Sequence, residues 1–314
     1  MRFLLIFFCL CSTLTSPLDA LTREEVPIIT CPLNKFKNRK APMAICAIFQ
    51  DEGEFIKEWI EYHRLVGVSH FYLYNNLSSD QYWAVLKPYV DKGIVEIFDV
   101  PFDSRVFDDG ANTHNFVQKC CYNHALSLSR GNNEWLGIID MDEFICPVID
   151  ATIPQALARY GKKIGGIAVY WQIYGTSNVW DLNPGECMIE KLVLKQPNTG
   201  GNGMFKSIVR PKYAKECHDP HWTICKDLPM ILPNGQSFSH TPNFASLPID
   251  IIRINHYTLR TEKFYHTVKK PRKERWGFRL PPEQVQAFID SHNIVYDPVM
   301  LRFVPALKQR MLAN

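Results

Sequence analysis

Unbroken apolar runs alternate along this chain with segments whose apolar residues recur at helical spacing, and that alternation predicts an α/β sheet of mainly parallel strands. Residues 43–49 are apolar at every position and read as a strand buried on both faces. Over residues 54–65, Phe55, Trp59, Tyr62 and Leu65 share one helical face, and Gly67 closes the helix. A second strand is predicted over 70–74, a second helix over 81–90 and a third strand over 94–98. This βαβαβ order is that of a parallel sheet with crossover helices. Further on, the pattern predicts a helix over 115–128 with Phe116, Cys120, His124 and Leu128 along one side, then an apolar strand from Trp135. A helix over 152–160 and a strand over 164–173 follow, and beyond them the chain is rich in aromatics, Pro, Asn and Gly without an internal repeat.

The strand from Trp135 runs into Asp140-Met141-Asp142-Glu143-Phe144. On an extended chain, side chains at i and i+2 point to one side, so Asp140 and Asp142 can face a single hard cation. Ligands of open α/β sheets gather at the carboxyl ends of strands, where these acids fall. A divalent ion with few protein ligands keeps positions open for the oxygens of a nucleotide diphosphate.

Composition narrows the class. With 314 residues, 46% of them hydrophobic, and a net charge of +3, the chain is a folded globular protein without the excess charge of a nucleic-acid binder. Lys263, Lys269, Lys270, Arg272, Lys273, Arg275 and Arg279 nevertheless form a local basic cluster. Residues 1–20 begin Met1-Arg2 and continue with a short apolar core, as a secretory signal or short anchor does, so entry into the secretory pathway, with possible membrane association, is expected. Ten cysteines are present; outside that segment, Cys217 and Cys225 are the expected local disulfide, and Cys46 and Cys146 are expected buried thiols. Residues 21–42 read as a linker, 43–275 as the main domain and 276–314 as a C-terminal helical tail.

The stretches AIFQDEGEFIKEWIEYHRLVGVSHFYLYNNLSSD, QKCCYNHAL, WLGIIDMDEF, VYWQIYGTS, FKSIVRP with HDPH, and INHYTLRTEKF occur here in one order. As a set they resemble the inverting glycosyltransferases of family 92. The resemblance implies a GT-A fold with a Rossmann-like nucleotide-sugar-binding half, related to family 2 glycosyltransferases. It also implies Mn²⁺ (or Mg²⁺) as cofactor, a UDP-sugar as donor, often galactose as the sugar, and a glycan as acceptor. Asp140 and Asp142 would be the DxD metal ligands, with His256 completing the metal shell and His218 and His221 a competing pair. Gln50, Asp51, Glu52, Asn75, Asn76 and Asp80 would contact the nucleotide, while Lys206 and Arg210 would face a phosphate or an acceptor carboxylate. An inverting transfer also needs a carboxylate base, for which Asp181, Glu190 and Glu143 are candidates. The chain departs from the family at Asn178-Val179-Trp180, after GTS, and this bears on the acceptor.

The function expected is therefore a metal-dependent hexosyltransferase. A catalytically inactive, transferase-like carbohydrate-binding protein is the non-enzyme alternative. A glycoside hydrolase is the other enzyme class, but its two carboxylates come from different elements about 5 Å or more apart, unlike an i, i+2 pair.

Overall fold

The computed structural model describes residues 6–7, 26–35, 40–102, 113–275 and 277–313. One mixed sheet runs through the molecule in the order Ile28–Thr30, Val95–Asp99, His70–Asn75, Ala41–Phe49, Asn133–Ile138, Phe205–Val209, Gly166–Ile173, Ile252–His256 and Glu143–Pro147. From Val95–Asp99 to Asn133–Ile138 the neighbours are parallel, as the apolar runs and intervening helices require. Phe205–Val209 is wedged antiparallel between Asn133–Ile138 and Gly166–Ile173. Ile252–His256 then pairs parallel with Gly166–Ile173 and antiparallel with Glu143–Pro147.

Sheet order reverses at Ala41–Phe49, because the next two strands in sequence lie to one side and Asn133–Ile138 lies to the other. Crevices that hold ligands open at the carboxyl ends of strands around such a reversal. Helix Gly53–Leu65 covers the sheet with Phe55, Trp59 and Tyr62, and Thr113–Ser129 packs on the other core with Cys120, Cys121 and Tyr122. Cys120 and His124 are buried as expected, but Phe116 is exposed while Val117 and Cys121 face the core, so the helix presents a different stripe.

Several expectations need correction. The run from Trp135 leaves the strand at Ile138, turns over residues 139–142, and starts a new strand at Glu143 on the far side of the sheet. Within the stretch read as a linker, Ile28–Thr30 pairs with Val95–Asp99. No disulfide joins Cys217 to Cys225: hairpin register sets Cys217 opposite Thr223 and Cys225 opposite Ala214, and both thiols are free. Beyond residue 276, the helices Pro282–Asp290 and Val304–Ala313 are joined by a strand, Val295–Tyr296, that pairs with Leu194–Lys195. Met300, Phe303, Val304 and Leu307 enter the main core, with the Phe303 ring 5.4 Å from that of Tyr62. Among the described residues no helix is long and apolar enough to cross a membrane, and the expected export segment lies outside them apart from Ile6 and Phe7.

Glu58, on the first helix, is buried and accepts the N–H groups of Met188 (2.7 Å) and Ile189 (3.0 Å). Burial pushes its carboxyl up to about 7. The folded protein then holds this proton more tightly than the unfolded chain, so stability from this group is full below about pH 4 and is lost as pH rises through 7. Glu58→Gln is expected to gain melting temperature relative to wild type on going from pH 5 to pH 8; a difference that does not change with pH rejects this.

Candidate active site

The turn at 139–142 is closed by its own acids. Asp140 donates its N–H to Glu143 Oε2 (2.9 Å), and the Glu143 N–H returns to the Asp140 carbonyl (3.1 Å). Glu143 is wholly buried, and burial holds its carboxyl well above the usual carboxylate range. An acceptor hydroxyl cannot reach it here, so this base candidate is a structural lock on the turn.

The segment turns instead of running on as a strand, and Asp140 and Asp142 take different partners, although Asp140 still feels the charge of Asp142. Asp140 Oδ2 lies 2.9 Å from Nζ of the fully buried Lys206, and its Oδ1 accepts from Tyr122 OH (2.7 Å) and Gln118 Nε2 (3.2 Å). Asp142 Oδ2 lies 2.6 Å from Lys269 Nζ, and its Oδ1 lies 3.4 Å from His256 Nε2. Burial is the largest single influence on both acids and opposes ionisation, but it is outweighed together by Lys206 and the Tyr122 hydroxyl at Asp140 and by Lys269, His256 and Arg260 at Asp142, which is held well below the carboxylate range.

His256 ends its strand against Trp171, ring centroids 4.4 Å apart, and its Nδ1 is buried without a hydrogen-bond partner. Asp142 and His256 thus converge, whereas Asp140 is committed to Lys206. Among the described residues no three His, Cys, Asp or Glu side chains form a ready metal cage. Two converging ligands still fit a hard cation of the kind that is bound by one or two protein groups and completed by substrate phosphates.

Glu52 joins this site through arginines. Its Oε2 lies 2.5 Å from Arg260 Nη2 and its Oε1 3.8 Å from Arg272 Nη1. Arg260 is wholly buried, lies 3.9 Å over the Phe55 ring and donates to the Met141 carbonyl (3.4 Å), tying the first strand's exit to the acidic turn. Arg272 donates to the Gln50 carbonyl (3.1 Å).

The other nucleotide-contact candidates brace the loops around the crevice. Asp51, at φ +53°, accepts the Ser79 N–H (2.8 Å), and Asp80 accepts from the N–H groups of Gly53 (2.6 Å) and Tyr82 (3.2 Å). Asn75 donates to Tyr82 OH (2.8 Å) and Asp99 (2.9 Å), and Asn76 to the carbonyls of Val100 (3.0 Å) and Phe102 (2.9 Å).

Asp181 pairs with Lys263 (2.5 Å) and lines a cleft of about 500 Å³ shared with Asp51, Glu54 and Asp80. Glu190 instead pairs with Lys308 (2.6 Å) on the C-terminal helix and caps the Cys187 N–H (3.4 Å), so neither it nor Asp181 contacts the Asp140–Asp142 turn. His221 binds the Phe205 carbonyl (3.2 Å) and is kept neutral by burial, which pulls it down to about 4, while His218 packs on Trp222. This loop supports Lys206, which donates to the Pro220 carbonyl (3.2 Å). Arg210 pairs with Glu134 (2.8 Å) at the opposite end of the neighbouring strand from the turn.

Sequence reasoning did not single out Tyr122, Gln118 or Arg260. It noted Lys269 and Arg272 only as part of a basic cluster, with no signal for what they face.

The sequence profile of glycosyltransferase family 92 matches residues 41–279. A glycosyltransferase family 92 protein of Ricinus communis is 29% identical over 168 residues, covering 52% of this chain and 28% of that protein. One of Oryza sativa subsp. japonica is 29% identical over 153 residues, covering 46% of this chain and 23% of its own length. The chain thus spans about a quarter of the length of these curated relatives. Among solved structures, S. aureus TarS 1-349 in complex with UDP aligns with a TM-score of 0.32 at 10% identity, over 54% of this chain and 47% of that one. The galactosyltransferase LgtC in complex with donor and acceptor sugar analogs aligns with a TM-score of 0.36 at 9% identity, over 77% of this chain and 99% of that one. With a family match over most of its length, and with the acids of the DMDEF segment at the exit of a central strand, this chain belongs to glycosyltransferase family 92.

Proposed function

We propose that the protein is an inverting hexosyltransferase that moves a sugar, with galactose expected, from a UDP-sugar to a glycan acceptor. The observation that carries this reading is the convergence of Asp142, His256 and a ring of cations on one turn beside the sheet's reversal point. Asp142 and His256 would hold Mn²⁺ or Mg²⁺, which when bound neutralises charge on the departing diphosphate. Asp140 and Lys206 keep the turn in place from beneath, and Glu52 with Arg260 fixes it from the first strand. Of the three base candidates, Asp181 opens onto a cleft and is ionised, since its hydrogen bond with Lys263 holds its carboxyl low. An ionised carboxylate on that cleft can take the proton of an acceptor hydroxyl bound there.

The test is release of UDP from a panel of UDP-sugars with and without Mn²⁺. Metal-dependent release from one donor supports the reading, while tight sugar binding without release favours the inactive carbohydrate-binding alternative. Within that assay, His256→Ala is expected to raise the Mn²⁺ needed for half-activation about tenfold or more. Its melting temperature should fall far less than the metal requirement rises, since Nδ1 has no partner to lose and Asp142 keeps Lys269 when the imidazole is gone. A large loss of stability with an unchanged metal requirement would make His256 a core residue.

A further inference from the structure

A second crevice opens at the end of the sheet that faces away from the acidic turn. Ala41 pairs with Asn133 at that edge, and the antiparallel strand Phe205–Val209 delivers Arg210 to it. Ala41–Phe49 has nine residues, so roughly 25 Å of strand separates this edge from the exit at Gln50. A cavity of about 790 Å³ lies there, with Lys40, Arg130, Lys162, Arg210, Lys212 and Glu134 in its lining.

Its charge is one-sided. Five cations line the cavity with a single carboxylate, an excess of four in one place on a chain whose whole net charge is +3. That carboxylate is already engaged, because Glu134 pairs with Arg210 (2.8 Å). Among the described residues, Lys40, Lys162 and Lys212 have no carboxylate within ion-pair distance. Both guanidinium groups are held in place rather than left to trail in solvent. Arg130 donates to the carbonyls of Ala214 (3.1 Å) and Lys215 (2.9 Å), while Arg210 lies 4.1 Å over the Trp135 ring with its Nε buried and without a hydrogen-bond partner. An adjoining cavity of about 480 Å³ shares Lys40, Ala41 and Pro42 and adds Arg64, Lys92 and Arg310, so the same sign of charge continues along the edge. The cleft at Asp181 has the opposite sign, with four carboxylates and one lysine in its lining.

We propose that this basic cavity is a second binding site, for a ligand that carries two or more phosphate monoesters. A cleft lined by one sign of charge focuses its field and concentrates counter-ions. An excess of four positive charges is matched by two phosphate monoesters, each carrying about −2 near neutral pH. Guanidinium and ammonium groups on phosphate oxygens make the strong, charge-assisted class of hydrogen bond, and a guanidinium already fixed in plane loses little freedom in making it. The site lies at the far end of the sheet from Asp142 and His256, and it does not depend on the hexosyltransferase reading.

The test is calorimetric titration of the full chain with inositol trisphosphate at physiological ionic strength, where diffuse surface attraction is screened. Wild type is expected to bind, and Lys162→Gln and Lys212→Gln each to weaken binding about tenfold. Lys87→Gln is the control, since Lys87 is an exposed lysine paired with Asp91 (2.6 Å) outside both basic cavities, and it should bind as wild type does. Sedimentation with phosphatidylcholine vesicles, with and without phosphatidylinositol bisphosphate, separates the two sources of such a ligand. Capture that requires the phosphoinositide and Lys212 assigns the site to a lipid headgroup, whereas binding of the soluble probe alone assigns it to a free phosphorylated compound. UDP with Mn²⁺ should not displace inositol trisphosphate. No binding of either probe by wild type, equal losses in the Lys87 and Lys212 variants, unchanged affinity in the Lys162 and Lys212 variants, or displacement by UDP each overturns the site. UDP release from a sugar donor by the Lys162 and Lys212 variants should match wild type, and a chain that binds the probe but turns over no donor leaves this site standing while removing the transferase reading.

Discussion

Asp142→Asn is expected to lower metal-dependent donor turnover about a thousandfold while leaving the melting temperature within a few degrees of wild type. The substitution removes one of two converging ligands and the charge that a cation at the diphosphate needs, which is worth about 4 kcal/mol of transition-state stabilisation. Stability survives because the partners of Asp142 can adjust. Lys269 keeps 14% of its side chain exposed and can swing into solvent, and the backbone carbonyl of residue 142 still accepts the Tyr257 N–H (2.8 Å). Asp140→Asn should look different, because its partner Lys206 is fully buried and has nowhere to go, so this variant loses stability as well as activity. Release of UDP by the Asp142 variant at a tenth of the wild-type rate or better would remove Asp142 from the metal site.

What the sequence made legible follows from which forces are local. Residues 43–49 could be read as a central strand because a strand buried on both faces must be apolar throughout, and Ala41–Phe49 is indeed the middle of the sheet. The acids at 140 and 142 were legible as the end of a strand, yet their mutual geometry was not. That geometry depends on Glu143 folding back onto the Asp140 N–H, and on lysines 66 and 127 residues away. Asp181 and Glu190 look alike in sequence, two acids downstream of one aromatic stretch, but Lys263 sets the first beside a cleft and Lys308 ties the second to the C-terminal helix. A lysine at 206 in the apolar-flanked FKSIV strand was the better clue: a cation buried in mid-sheet has to face an anion, and the nearest acid along the sheet is Asp140.

Lys206→Met should therefore produce the largest loss of stability among single changes at this site, about 3 kcal/mol, seen as a fall in melting temperature on the order of ten degrees. Methionine fills the channel occupied by the lysine stem but leaves Asp140 without its cation and the Pro220 carbonyl without its donor. Glu143 softens the damage. Burial already favours its protonated form, and with Lys206 gone it simply keeps its proton. Asp140 cannot escape so cheaply, although Tyr122 and Gln118 still donate to it. The sign of the pH dependence follows from the same pair. In wild type the Asp140 carboxyl sits below its ordinary value against the opposition of burial, so its stabilising contribution is present above about pH 4 and is lost as pH falls through the folded-state value. Lys206→Met abolishes that contribution, so the gap between wild type and variant should be widest near pH 7 and narrow below pH 4. Parallel melting curves across that range would mean that the buried lysine holds the turn through its stem and the Pro220 carbonyl rather than through Asp140.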